Sequence, residues 1–386
     1  MDNETKQKIH DFMELQKLPY EQKVRHAEGV AHSFYKTIRA TGAQCHISVG
    51  GLDSITLHYF LESIGVYVPC ISCSNLEDKS IQAVHEQIAG EMSKSCKYWD
   101  DDYYGAENPP QKPLFYFLKS EKSKVEVLNE FGFPVISKAK AKKISNLQVK
   151  DNPKQTFIHA IMTGDMGEQG KFQHSDKIKL PDKYIRLFGG NYAEHRPDLH
   201  CAVAPFKVSA DCCYWLKEKP CDDWAKEHNS YPFLGLMASE GGQRELGLKK
   251  NGCNYYGKDV TRSAPFAIFE RQDILQLALD LNVPIPQIYG EIKRDRFGKL
   301  YTTRAQRTGC SMCGFGIQME KRPHRFDRLR EDNPDEWEFY MRGCVNDKQT
   351  GEKYGWGRVL DYIGIGWADD PHGNLTGQFD MFGGEI

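Results

Sequence analysis

Apolar residues recur at helical spacing from Tyr20 to Ile38, through Val24, Ala27, Val30, Ala31, Phe34 and Tyr35. This period of about 3.6 residues predicts an amphipathic helix packed against a sheet. Residues 1–43 read as an N-terminal helical segment. The pattern then changes. A β-like run at about 44–49 leads into Gly50-Gly51, and a second helical pattern follows through Ile55, Leu57, Tyr59, Phe60, Leu61 and Ile64. Val66 to Cys73 is a mainly apolar run, as expected of a strand buried on both faces. A further helix is predicted from Ser80 to Met92. This β-α-β-α order predicts an α/β fold with a doubly wound, mostly parallel, Rossmann-like sheet.

Downstream the signals are sparser. Asp100 to Pro113 reads as a loop and Phe115–Leu118 as a short strand. Val135-Ile136 precedes a lysine-rich helix opening at Lys138. A strand is expected near Tyr231–Met237, with helices near Gly241–Lys250, 271–282, Trp337–Cys344 and Gly357–Ile363. Residues 151–200 are polar, glycine-rich and weakly periodic, and are expected to form an irregular insertion. The expected organisation is an N-terminal segment (1–43), an α/β domain (44–290), a cysteine-bearing C-terminal region (291–368) and a mobile tail (369–386).

Composition narrows the setting. The 386 residues are 40% hydrophobic, enough for a large core. With 51 Lys+Arg against 53 Asp+Glu, no global charge argues for nucleic acid or a membrane. The opening Met1-Asp2-Asn3-Glu4 is polar, and no apolar run approaches membrane-spanning length. A cytoplasmic protein without membrane contact is expected. Twelve cysteines are many for such a chain, and in a reducing compartment they do not imply disulfides. Cys45, Cys70 and Cys73 lie in β-like runs where buried thiols are ordinary. Cys96, Cys201 and Cys221 stand apart from any pattern.

Three stretches carry candidate chemistry. Ser48, Gly50, Gly51, Asp53 and Ser54 form a strand–glycine turn–helix start. Such a turn can be plain geometry, or it can offer backbone N–H groups and a helix dipole to a phosphate. Asp53 stands where a helix cap or a magnesium-facing carboxylate would stand. Cys310-Ser311-Met312-Cys313 is a CxxC between glycines, and Cys212-Cys213 lies 97 residues before Cys310. CxxC alone suits a redox dithiol or half a zinc site. Four thiolates from two loops suit a [4Fe–4S] cluster or zinc, with Cys253 or Cys344 as substitute ligands. Glu240 and Arg244 can hold a ribose and a phosphate or sulfate, or simply pair along a capped helix. Lys138 and Lys140 can reach a polyanion or form a solvated face.

Together these motifs resemble the phosphoadenosine phosphosulfate (PAPS) reductase family of the PP-loop, adenine nucleotide α-hydrolase-like superfamily, over about residues 25–365. The carriers are the SxGGxDS turn, the Cys212-Cys213-Tyr214-Trp215-Leu216-Lys217-Glu218-Lys219-Pro220 run, Ser263-Ala264-Pro265-Phe266, and Thr308-Gly309-Cys310 through Cys313. The resemblance implies a PP-loop that binds the phosphates of ATP, adenylyl sulfate (APS) or PAPS, with strand 2 near Ser72 beside adenine. It implies a [4Fe–4S] cluster on Cys212, Cys213, Cys310 and Cys313, and a protein electron or sulfur donor.

Two departures stand out. Leu52 replaces the lysine usual in the hydrolase-type loop, removing a cation from the phosphates. No cysteine follows Cys344, so the C-terminal nucleophile of sulfonucleotide reductases is missing from its place, and Cys344 is the substitute candidate. The leading expectation is a PAPS/APS reductase-like enzyme. The alternatives are an ATP-dependent sulfurtransferase acting on nucleic acid, or a non-catalytic nucleotide- or Fe–S-sensing partner protein.

Overall fold

The computed structural model describes residues 3–94, 114–171, 173–347 and 350–368. The expected loop at Asp100–Pro113, Cys96 and the expected tail from residue 369 lie outside them. No described helix is long and apolar enough to cross a membrane.

By packing, the chain divides into two units: Met1–Ser120 with Glu218–Cys310, and Glu121–Lys217 with Ser311–Ile386. A boundary near residue 290 does not mark this division. Each unit is assembled from two separated stretches, a pattern that local composition does not encode.

In chain order, the first stretch carries α1 (Asn3–Gln16), α2 (Tyr20–Ala40), β1 (Gln44–Ser48), α3 (Leu52–Ser63), β2 (Cys70–Ser72), α4 (Lys79–Lys94) and β3 (Phe115–Phe117). The second carries α5 (Lys124–Glu130), β4 (Val135–Ile136), α6 (Lys138–Leu147), α7 (Gln155–Thr163) and α8 (Asp182–Phe188). The third carries α9 (Lys219–Glu227), β5 (Ser230–Phe233), α10 (Gly242–Asn251), β6 (Asn254–Tyr256), β7 (Thr261–Ser263), α11 (Arg271–Asp280), β8 (Ile292–Arg294) and β9 (Leu300–Thr302). The last carries β10 (Gly314–Phe315), α12 (Arg325–Asp332), α13 (Pro334–Arg342), β11 (Val345–Asn346), β12 (Lys353–Tyr354) and α14 (Trp356–Tyr362).

The first unit is mixed α/β around a six-stranded sheet of order β3-β2-β1-β5-β7-β6. All neighbours are parallel except the edge strand β6, which is antiparallel to β7. Ile47 is set opposite Cys70 on one side and Phe233 on the other, so β1 is central. That central place encloses Cys45, His46 and Ile47, and the buried His46 is satisfied by Ser230 Oγ at 2.8 Å. β2 is shorter than the predicted Val66–Cys73 run, because its neighbour β3 has only three residues to pair with. Helix α2 buries Ala27, Ala31, Phe34 and Ile38 along one stripe. Phe34 meets Phe233 edge-on at 5.1 Å.

One ion pair in this core has a clear energetic role. Lys23 on α2 donates to Asp273 on α11 at 2.8 Å, and its side chain is only 6% exposed. Removing one partner of a buried pair leaves the other charge desolvated and unpaired. Lys23→Ala is expected to lower unfolding free energy by about 3–5 kcal/mol, read as an earlier midpoint in urea.

The second unit has its own core, in which Phe133, Phe188, Phe326 and Trp356 are fully buried. Residues 151–200, expected to be irregular, contain α7 and α8. Both are short helices whose periodicity spans too few turns to stand out from a polar, glycine-rich background. Ile158, Ile161, Tyr184, Ile185 and Phe188 join this core.

Candidate functional site

The glycine turn lies at the carboxyl end of β1. Gly50 N–H donates to Ser54 Oγ at 2.7 Å, and that hydroxyl donates to Gly51 O at 2.9 Å. Ser54 is therefore the brace of the turn. Helix α3 begins with Gly51 as its N-cap residue, which has no side chain to cap it, and the Ser54 and Ile55 N–H groups donate to Gly51 O at 3.1 Å. Leu52 N–H donates to Tyr289 Oη at 3.1 Å, and Tyr289 Oη shares a 2.6 Å hydrogen bond with Thr308 Oγ1. A Cβ on Gly51 would stand 2.5 Å from Tyr289 Oη and 3.0 Å from Thr308 Oγ1. Glycine is thus required here for close approach.

Ser48 is half-buried at the end of β1. Ser72, buried on β2, lies 3.4 Å from His85 Nδ1. His85 also meets Ser74 Oγ at 2.6 Å and Gly50 O at 2.8 Å. This buried histidine ties the end of strand 2 to the glycine turn.

Asp53 is paired with Arg271, the first residue of α11. Burial lifts the Asp53 carboxyl above its ordinary range; Arg271 opposes that lift and the Glu240 carboxylate adds to it. Arg271 also donates through Nη2 to Gln306 O at 3.1 Å, while its buried Nε has no hydrogen-bond partner. Glu240 pairs with Arg244 at 2.8 Å and with Arg307 at 3.7 Å. A Cβ added to Gly235, just past β5, would meet the Asp53 backbone at 3.0 Å. The structure therefore gathers Gly50, Gly51, Asp53, Ser54, Glu240, Arg271, Tyr289, Arg307 and Thr308 within one unit.

Four of these were not foreseen from the sequence. Arg271 and Tyr289 sit in an ordinary helix start and an ordinary turn, with no local signal. Arg307 and Thr308 directly precede the CxxC, and that proximity was their one visible cue. Lys138 and Lys140 lie in the other unit. Lys138 is exposed, and Lys140 stands over the Tyr184 ring at 5.0 Å. Burial and the neighbouring Lys183 charge lower the Lys140 pKa.

In the second unit, Phe133 bridges Val208 and β4 pairs with β10 in parallel, Val135 opposite Gly314. These pairings set the 207–210 segment and the end of the CxxC along one backbone stretch. A Cβ on Gly314 would clash with the Trp356 ring and Pro134 O, so only glycine permits that pairing. After Cys213 the chain takes a π-helical turn, Tyr214–Glu218, a form enriched at functional sites. The sulfurs of Cys212 and Cys213 stand 4.0 Å apart. Burial raises the Cys313 pKa, opposed by the Phe315 N–H and by the Arg325 and Lys217 charges; the nearby Cys213 adds to the rise. Met312 takes a left-handed conformation, φ 64°, which bends the chain inside the CxxC. Cys310 ends the first unit, three residues before Cys313 in sequence.

These donors suit an iron–sulfur cluster in kind: soft thiols, with a backbone N–H and two cations able to stabilise thiolate charge. Among the described residues, no three His, Cys, Asp or Glu side chains are grouped at metal-holding distances.

Two other thiols are placed differently from what their candidate roles need. Cys344 is 2% exposed, its Sγ bonds Tyr340 O at 3.2 Å, and burial pushes its pKa up to about 12. A protonated, enclosed thiol is a poor nucleophile. Cys253 is buried in the first unit, 3.7 Å from His26 Nε2, with its pKa pushed by burial up to about 11. No protein-family model and no curated protein matches the chain.

Proposed function

We propose that this chain is a PP-loop enzyme of sulfur metabolism resembling PAPS/APS reductases, binding an adenine sulfonucleotide at the Gly50-Gly51 turn. The observation that carries this reading is the position of the turn. It lies at the carboxyl end of β1, where the strand order runs one way through β2 and β3 and the other way through β5 and β7. In doubly wound sheets, which this reading takes the first unit to be, ligands sit at such a switch point. The start of α3 turns its positive dipole end toward the turn, and Arg271 and Arg307 offer the positive charge that Leu52 cannot. A magnesium ion facing Asp53 would share that carboxylate with Arg271, which is paired at Oδ1.

In this reading Cys212, Cys213, Cys310 and Cys313 hold a [4Fe–4S] cluster. When bound, the cluster supplies charge and redox poise. Ser54 braces the loop, His85 holds Gly50 O, and Arg271 orients the phosphate or sulfate.

The enclosure of Cys344 favours a second reading, a PP-loop sulfurtransferase. There ATP adenylates a base carbonyl oxygen with release of pyrophosphate, and a sulfur donor then displaces AMP to leave a thiocarbonyl. Native mass spectrometry and pyrophosphate release separate the two. Retention of APS or PAPS without pyrophosphate supports the first. Pyrophosphate released from ATP only when nucleic acid is present supports the second. Absence of any adenine-nucleotide binding sinks both.

A further inference from the structure

Strands β8 and β9 form an antiparallel hairpin, with Lys293 opposite Tyr301 and Arg294 opposite Leu300. One face is anchored. Leu300 is buried in the core, its N–H and C=O are both held by the Gln272 side-chain amide, and Arg294 reaches Gln276 at 2.6 Å. The tip is rigid as well. Asp295 Oδ1 accepts from the N–H groups of Phe297 and Lys299, and Gly298 takes φ 80°. The only carboxylate in the turn is thereby held in backbone bonding.

What projects from this base is a basic aromatic tip. Phe297 is 80% exposed, with the Arg296 guanidinium 4.7 Å from its ring centroid. Lys293, Lys299 and Tyr301 are exposed on the face opposite the anchored one. From Glu291 to Arg304 the chain carries five basic residues (Lys293, Arg294, Arg296, Lys299, Arg304) and two acidic ones (Glu291, Asp295), a local +3 in a chain of net −2.

A protein interface centres on a packed apolar patch with few charges, whereas this is one aromatic ring ringed by cations. A membrane anchor would need more apolar area than a single side chain. Stacking on an exposed ring between phosphate-pairing cations is how single strands are gripped.

We propose that this hairpin is a binding wing for single-stranded nucleic acid, in which a base stacks on Phe297 while Arg296 and Lys299 meet the flanking phosphates; Lys293 is paired with Glu291 at 2.9 Å. The proposal stands on the hairpin alone, and its test needs neither adenine nucleotide nor cluster.

The test is fluorescence anisotropy of the full chain with labelled oligothymidylate and oligouridylate, each about 20 nucleotides long, over a range of salt concentrations. Anionic phosphatidylserine vesicles serve as a competing surface. Binding that weakens with salt is expected, with Phe297→Ala weakening it about tenfold. Replacing Arg296 and Lys299 together by glutamine is expected to flatten the log–log salt dependence by about 0.7 for each phosphate no longer neutralised. The two oligonucleotides separate RNA from DNA as the preferred strand. Because Phe297 packs against nothing in the core, these variants are expected to melt like the parent. Absence of oligonucleotide binding, binding indifferent to Phe297→Ala, or a Phe297-dependent preference for the vesicles would overturn the proposal.

Discussion

Cys213→Ser is expected to remove the brown colour and nearly all iron from anaerobically purified protein, the parent being expected to hold about four irons per chain. Cys213 is the informative position because its sulfur stands 4.0 Å from that of Cys212 and its charge adds to the rise of the Cys313 pKa. Serine keeps the size but replaces a soft thiolate with a hard, protonated hydroxyl, which iron–sulfur chemistry does not accept. Cys201→Ser is the control. Cys201 is half-buried with its thiol 3.6 Å from Leu199 O, and its loss is expected to leave iron and colour unchanged. The readouts are iron and sulfide content and visible absorbance, independent of any activity. A parent protein that is colourless and carries zinc instead would refute the cluster assignment.

The sequence made legible whatever depends on short range. The β1–turn–α3 unit, the apolar β2 run and the stripe of α2 were visible because two periods and two adjacent glycines write them locally. The mostly parallel sheet followed from their order. The division into two units was not visible, since the chain crosses between them after Ser120, Lys217 and Cys310 without a change of composition. The cysteine pairs were conspicuous, but what sets Cys313 in place is β4–β10 pairing across almost 180 residues, through two-residue strands too short to show a period. The cations of the glycine turn were invisible for a related reason. Leu52 looked like the loss of a positive charge, and only the packing of α11 against α3 shows Arg271 at Asp53. The lysine-rich start of α6 attracted attention by its density of charge, and it packs in the second unit. Cys344 attracted it by elimination, and burial raises its pKa.

Arg271→Ala is expected to weaken sulfonucleotide binding by about tenfold to a hundredfold, the range for losing one charge-assisted hydrogen bond. Arg271→Lys, which keeps the charge and loses the planar fork, is expected to recover part of that affinity. Isothermal titration with APS and PAPS reads both, and unchanged affinity in the alanine variant would remove Arg271 from the phosphate site. The same substitution has a pH signature that a merely structural arginine would not give. The folded-state pKa of Asp53 is already raised by burial, against the pull of Arg271. A carboxyl raised in the folded state contributes stability that is present below its unfolded pKa and lost as pH climbs through the folded one. Removing Arg271 raises the folded value further and deepens that loss. Variant and parent are therefore expected to differ little in acid, where Asp53 is protonated in both and the ion pair is absent, and to diverge as pH rises to neutrality. Thermal midpoints measured from pH 4 to pH 8 test this directly; a gap that stays constant, or widens toward acid, would show that the Asp53–Arg271 pair does not hold the glycine turn together.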